Sequence, residues 1–229
     1  MSKGRHFSKK TFDFLRELAV NNDREWFQAN KDRFEAEVKE PAIRFILDFT
    51  SPLKGISPYF KADPGGNGGS LFRIYRDTRF SKDKSPYKTH TGIQFRHDQG
   101  KDAHAPGFYL HIEPGGCFIG LGTWRPDAKA LRKIRDGLVE DPKGWKKAAG
   151  GKRFKDQFEL SGESLVRPPR GFDPEHPLME DLKRKDFIAV SSLRESQVTS
   201  PGFLKDFSAS CRAGTPFMSF LCEVLGVPF

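Results

Sequence analysis

The sequence predicts an α+β fold in one domain spanning 1-229, an antiparallel sheet with helices at its N- and C-terminal ends. Three observations carry this. Apolar residues recur at helical spacing through 8-53, two-residue alternation takes over within 92-124, and helical stripes return after Pro126. No internal repeat interrupts the order.

The helical region 8-53 reads as three helices. Phe7, Ser8 and Phe12 form a hydrophobic staple around an N-cap, followed by Leu15, Leu18 and Ala19. Asn22 with Glu25 has the look of a capping box for a second helix bearing Trp26, Phe27, Phe34 and Val38, and Pro41 suits the first turn of a third. The strand-rich region 56-124 begins with a connector, Pro64 through Ser70, which lacks the Gly-Lys-Ser/Thr ending of a phosphate-binding loop. Residues 92-97 and 107-124 read as strands, the latter a hairpin turning at Pro114-Gly115-Gly116. Tyr109, His111 and Glu113 share one face there, and Gly120 and Gly122 leave a bare face that a packed helix, a bulky side chain or a ligand can approach. The region 126-229 is helical, with a long Pro/Gly-rich loop at 161-177, one strand near 186-190, and two closing helices announced by Pro201 and Pro216.

Composition excludes some functions. With 36% hydrophobic and 30% charged residues and no apolar run of membrane-spanning length, no membrane role is expected. The charged first 30 residues and three unpaired-looking cysteines, Cys117, Cys211 and Cys222, point to a cytoplasmic protein. The net charge of +9 is concentrated in two windows. Residues 73-90 hold six cations against two acids, and residues 143-155 hold six cations and no acid, so the rest of the chain is almost neutral. An anionic partner follows, either a small molecule or nucleic acid. In the second window Trp145 and Phe154 interleave with lysines, as on single-stranded nucleic-acid surfaces, or else form the buried side of a short amphipathic helix.

The first window carries the chemistry. Either a strand or a helix through 71-79 gathers arginines around Asp77, which orients them for bidentate grip on phosphate or carboxylate. Arg73, Arg76, Arg79 and Lys88 are the anion-binding candidates, with Asp77, Lys84 and Tyr87 as the catalytic ones. Proton donation by Lys84 or Tyr87 requires a lowered pKa. An ion-pair network that pins an irregular segment uses the same residue types, and in that case the motif is structural.

The string from Arg73 to Thr89, R-I-Y-R-D-T-R-F-S-K-D-K-S-P-Y-K-T, resembles the signature of an uncharacterised, mainly bacterial family, domain of unknown function 2461. Asn21-Asn22, Trp26-Phe27, the stretch Gly107 to Ile112 and Trp124-x-Pro126 extend the resemblance along most of the chain. It implies no activity and no cofactor; it implies that Arg73, Arg76, Asp77, Arg79, Phe80, Asp83, Lys84 and Tyr87 form the site.

No metal site is expected. His90, His97, His104 and His111 recur every seven residues, but glycines and prolines forbid a helix, and a pairing of His97 with His111 across strands would lack thiols. Nucleophile-elbow and dinucleotide motifs are missing. The expected function is recognition of an anion, including enzymatic action on a phosphorylated or nucleotide-like substrate. Its alternatives are a nucleic-acid-binding module and a protein-interaction domain.

Overall fold

In α1 (Lys9–Val20) the apolar positions Phe12, Phe14, Leu15 and Leu18 are buried on one side. Ser8 occupies the N-cap in extended backbone, as the staple predicts. These features come from a computed structural model, which describes residues 5–66, 68–100 and 106–229. Asn67 of the glycine loop and His104 of the histidine series lie outside the described residues.

The next helical stretch differs from the expectation in two ways. Its cap is Asp23, whose carboxylate accepts from the Trp26 N–H at 2.8 Å, rather than Asn22. Pro41 does stand in the first turn of a helix, as expected, but no break precedes it: α2 (Arg24–Ala29), α3 (Lys31–Phe34), a π-helical turn (Glu35–Lys39) and α4 (Glu40–Lys54) follow one another with no loop after Asn30. The π turn has an identifiable chemistry. Pro41 has no N–H to give the Glu37 carbonyl four residues before it. That carbonyl instead accepts from the Thr11 hydroxyl of α1 at 2.7 Å, with Thr11 fully buried. A side chain from one helix therefore supplies the donor that proline removes from another.

The sheet contains β1 (Thr91–Arg96), β2 (Gly107–Ile112), β3 (Phe118–Thr123), β4 (Glu159–Ser161) and β5 (Phe187–Ser192) in the order β1-β2-β3-β5-β4, every neighbour antiparallel. Register opposes His111 to Gly92 and Phe118, and Tyr109 to Gln94 and Gly120. Phe95, Phe108, Leu110 and Leu121 thus face the helices, and Tyr109, His111 and Phe118 the opposite side.

Helices α5 (Ala128–Glu140), α6 (Pro142–Gly150), α7 (Lys152–Lys155), α8 (Met179–Leu182), α9 (Glu195–Val198), α10 (Phe203–Ala213) and α11 (Thr215–Leu225) complete the fold. Phenylalanine dominates the contact between helices and sheet. Phe45 of α4 lies 5.6 Å from Phe203 of α10, and Phe49 lies 4.7 Å from Phe95 on β1, centroid to centroid. Full burial of each such ring contributes about 1.5–3 kcal/mol of transfer free energy. Cys211 and Cys222 are buried fillers in this layer, their thiol pKa values pushed up by burial, to about 12 for Cys222.

In the second basic window, Trp145 and Phe154 are buried, and the Trp145 indole N–H donates to Asp181 at 2.8 Å. Of the two readings above, the amphipathic one describes these rings. Among the described residues no helix is long and apolar enough to cross a membrane.

Candidate functional site

Residues 70–90 fold back along the outer edge of β1. The Phe72 N–H donates to Gly92 O at 2.9 Å, Gln94 N–H donates to Ser70 O at 2.8 Å, and Leu71 bridges to Ile93. The segment then makes a loose hairpin of its own. Tyr75 bridges to Tyr87, Arg76 N–H donates to Pro86 O, and Lys88 N–H donates to Ile74 O. Residues 71–79 are therefore neither strand nor helix. Pro86, the charges and the lack of alternation within 73–88 leave a few bridges where the sequence offers two regular alternatives.

A side-chain bracket holds this hairpin to the helices. The Asn22 amide donates to the Tyr87 carbonyl and accepts from the Tyr87 N–H, both at 3.0 Å. Tyr87 is 2% exposed and its ring stacks on Phe27 of α2 at 4.1 Å. Burial raises its phenol pKa, with the nearby Tyr75 adding to the shift, so the lowered pKa needed for proton donation is not found.

Both acids of the motif are paired internally, each with one arginine. Arg79 grips Asp77 through Nε (3.0 Å) and Nη2 (2.7 Å), which with its backbone N–H holds the Asp77 carboxyl at about 2. Arg76 binds Asp83, whose carboxyl is also held by the Ser85 hydroxyl and N–H and lies well below the usual carboxylate range. The Lys84 ammonium donates to the Thr78 carbonyl at 2.9 Å. Asp77 thus orients one arginine, and Asp83 another.

Arg73 and Lys88 are different. Among the described residues the Arg73 guanidinium has no acidic partner and Lys88 forms no ion pair. The Lys88 ammonium donates to the Arg73 carbonyl at 2.9 Å and lies 5.5 Å over the Phe72 ring. Burial, and after it the Arg73 charge, lowers the Lys88 pKa. Arg73 also lines a cleft of about 240 Å³ between this segment and the helices, walled by Phe27, Phe34, Phe72 and Tyr75 and carrying Lys31 and the Lys39–Glu35 ion pair (2.8 Å). The glycine loop forms part of the wall through Pro64, Gly65 and Gly66.

The opposite side of Phe72 meets the outer face of the sheet. Tyr109 lies flat over Gly92 and Gly120, so a side chain covers the bare strand at Gly120 where a helix was one of the expectations. A Cβ on Gly92 would stand 2.6 Å from the Tyr109 hydroxyl and 3.1 Å from Phe72. The Tyr109 hydroxyl meets His111 Nδ1 at 3.0 Å, His111 Nε2 meets Glu113 Oε2 at 3.1 Å, and Thr89 donates to Glu113 Oε1 at 3.3 Å. The His90 ring lies 4.4 Å from that of His111. Burial and the facing His111 push the His90 pKa down to about 4, and burial raises that of Tyr109.

The histidine pairing expected across the strands does not form. His97 sits at the far end of the ladder, beyond Arg96 opposite Gly107, and its Nε2 meets the Pro228 carbonyl at 2.7 Å. His90 takes its place beside His111, delivered by the folded-back segment. Alternation along β2 is enough to put Tyr109, His111 and Glu113 together. Nothing in local spacing brings in His90 or Lys88.

A family model described as "Conserved hypothetical protein (DUF2461)" matches residues 10–220. The chain belongs to this family. No curated protein and no solved structure gives a significant match.

Proposed function

We propose that this member of the DUF2461 family recognises a small phosphorylated anion at Arg73 and Lys88, with the apolar part of the ligand in the adjoining cleft. The observation that carries the reading is a pair of neighbouring cations with no acid bound to either, one of them half-buried beside an aromatic ring. Placing two like charges together costs free energy, and an anion that bridges them recovers it. Arg76 and Arg79 already have carboxylate partners, so they serve to shape the hairpin.

The cleft bounds the ligand. About 240 Å³ is small beside the few hundred cubic ångströms of a drug-sized site, which favours a phosphorylated sugar or a mononucleotide fragment over a dinucleotide. Aromatic walls and Lys31 suit a ligand with an apolar or planar body and negative charge, whereas Lys39 already has Glu35 as its carboxylate partner. Nucleic acid is less well supported, because the rings of the 143–155 window are buried and leave lysines and Arg153 but no stacking surface for an oligonucleotide to meet. Intracellular location fits such a ligand.

The test is a thermal-shift panel of inorganic phosphate, nucleoside monophosphates, phosphorylated sugars and oligonucleotides at low and physiological salt. A specific ligand raises the melting temperature in both salts, and Arg73→Ala removes the shift without changing the unliganded Tm. Shifts confined to oligonucleotides at low salt, or unchanged in Arg73→Ala, refute the assignment.

A further inference from the structure

We propose that His90, His111 and Glu113 form a binding site for a divalent first-row transition ion, with Zn²⁺ as the representative ligand. Each offers one ligand atom, and these three atoms lie within 4.8 Å of one another. Two imidazoles and a carboxylate are a donor set of catalytic zinc sites, in which three protein ligands leave one position open. The same set disfavours Mg²⁺ and Ca²⁺, which prefer oxygen. The 3.1 Å between His111 Nε2 and Glu113 Oε2 is close to the roughly 3.3 Å edge of a tetrahedron with metal–ligand bonds of about 2.0–2.1 Å.

The groups behind these ligands strengthen the case. Tyr109 and Thr89 touch the atoms of His111 and Glu113 that face away from the shared centre. Two tautomers of His111 keep the Tyr109 contact, but only the first also hydrogen-bonds Glu113. In the first, the Tyr109 hydroxyl donates to Nδ1 and Nε2–H donates to Glu113. In the second, Nδ1–H donates to the phenol oxygen, which accepts as readily as it donates, and an ion between the free Nε2 lone pair and the carboxylate has to replace the bond to Glu113. Thr89 steadies the carboxylate oxygen that does not face His111. Phe118 stacks on the His111 ring at 4.6 Å and fixes its plane. This site uses other residues than the anion reading and stands independently of it.

The test uses the full chain, stripped of metal with a chelator and dialysed against Zn²⁺, with Mg²⁺ as control and Co²⁺ as spectroscopic probe. One Zn²⁺ should bind per chain and raise Tm, and Co²⁺ should give visible absorption of tetrahedral nitrogen–oxygen coordination. His90→Ala and Glu113→Gln should abolish stoichiometric binding; Glu113 is half-buried and glutamine keeps its shape, so an unchanged unliganded Tm of that variant separates loss of the ion from loss of the fold. Tyr109→Phe should weaken binding by about 10- to 100-fold, the range for groups that orient a ligand. Arg73→Ala should leave Zn²⁺ binding intact, separating this outcome from that of the anion site. Failure of the wild type to bind Zn²⁺ stoichiometrically, or binding by Glu113→Gln and His90→Ala as tight as the wild type's, overturns the proposal.

Discussion

Replacing Asn22 by alanine removes the bracket around Tyr87 and tests whether the motif hairpin is held by the helices. Two hydrogen bonds of 3.0 Å are lost, and each partner is a backbone group of a residue only 2% exposed. A buried donor or acceptor left unpaired costs about 1–3 kcal/mol. Asn22 itself is half-buried, so water reaches part of the vacated space, and the lower half of the range applies to each group. The expected loss is about 2–4 kcal/mol, a fall in Tm of roughly 4–16 °C for a chain of this size. Urea unfolding followed by tryptophan fluorescence measures the loss. Hydrogen exchange locates it: the Arg76 and Lys88 amides, bonded to Pro86 and Ile74, should exchange faster than those of β2. Asn22→Asp should give no rescue, because it keeps the acceptor for Tyr87 N–H but sets a second oxygen against the Tyr87 carbonyl. A loss below about 0.5 kcal/mol with both amides still protected would refute the bracket's role.

Three further outcomes are expected. Thr11→Val leaves the Glu37 carbonyl without its donor and should cost about 1–3 kcal/mol in urea unfolding, whereas Thr11→Ser should be much milder. Gly92→Ala drives a methyl into the Tyr109 hydroxyl and Phe72, and should destabilise by about 1–3 kcal/mol; the double variant with Tyr109→Ala, compared in a double-mutant cycle, should recover part of that. Affinity for the best small anion should fall as pH rises, because Lys88 holds its proton only below its pKa. With that pKa lowered in the fold, the fall begins below the usual lysine value of 10.5. A calorimetric pH series that stays flat until the ordinary lysine range counts against Lys88 as a ligand.

The helices at both ends and the antiparallel hairpin were legible because their information is periodic and local. Phe12, Leu15 and Leu18 mark the buried side of α1, and Tyr109, His111 and Glu113 alternate onto one face of β2. β4 was not legible. Three residues, Glu159-Leu160-Ser161, carry no period, and only pairing to β5 makes them a strand. The motif at 73–88 announced its charge but not its wiring, since whether Asp77 gathers several arginines or one depends on a turn with no regular backbone. The cleft and the His90–His111 contact depend on where residues 70–90 lie relative to β1, which is a long-range fact. The continuity through Pro41 was missed for the same reason, because the donor that makes it tolerable sits thirty residues earlier.

That borrowed donor bears on the order of assembly. The π turn of Glu35–Lys39 closes on its own backbone but leaves the Glu37 carbonyl to the Thr11 hydroxyl, so packing against α1 adds to its stability. α1 and α4 should then gain structure together. Thr11→Val should slow folding more than it speeds unfolding, and a stopped-flow chevron reads the two apart. The proline that looks like a break between helices thus acts as a timing constraint, tying the first element of the chain to the helix that carries Phe45 and Phe49 into the core.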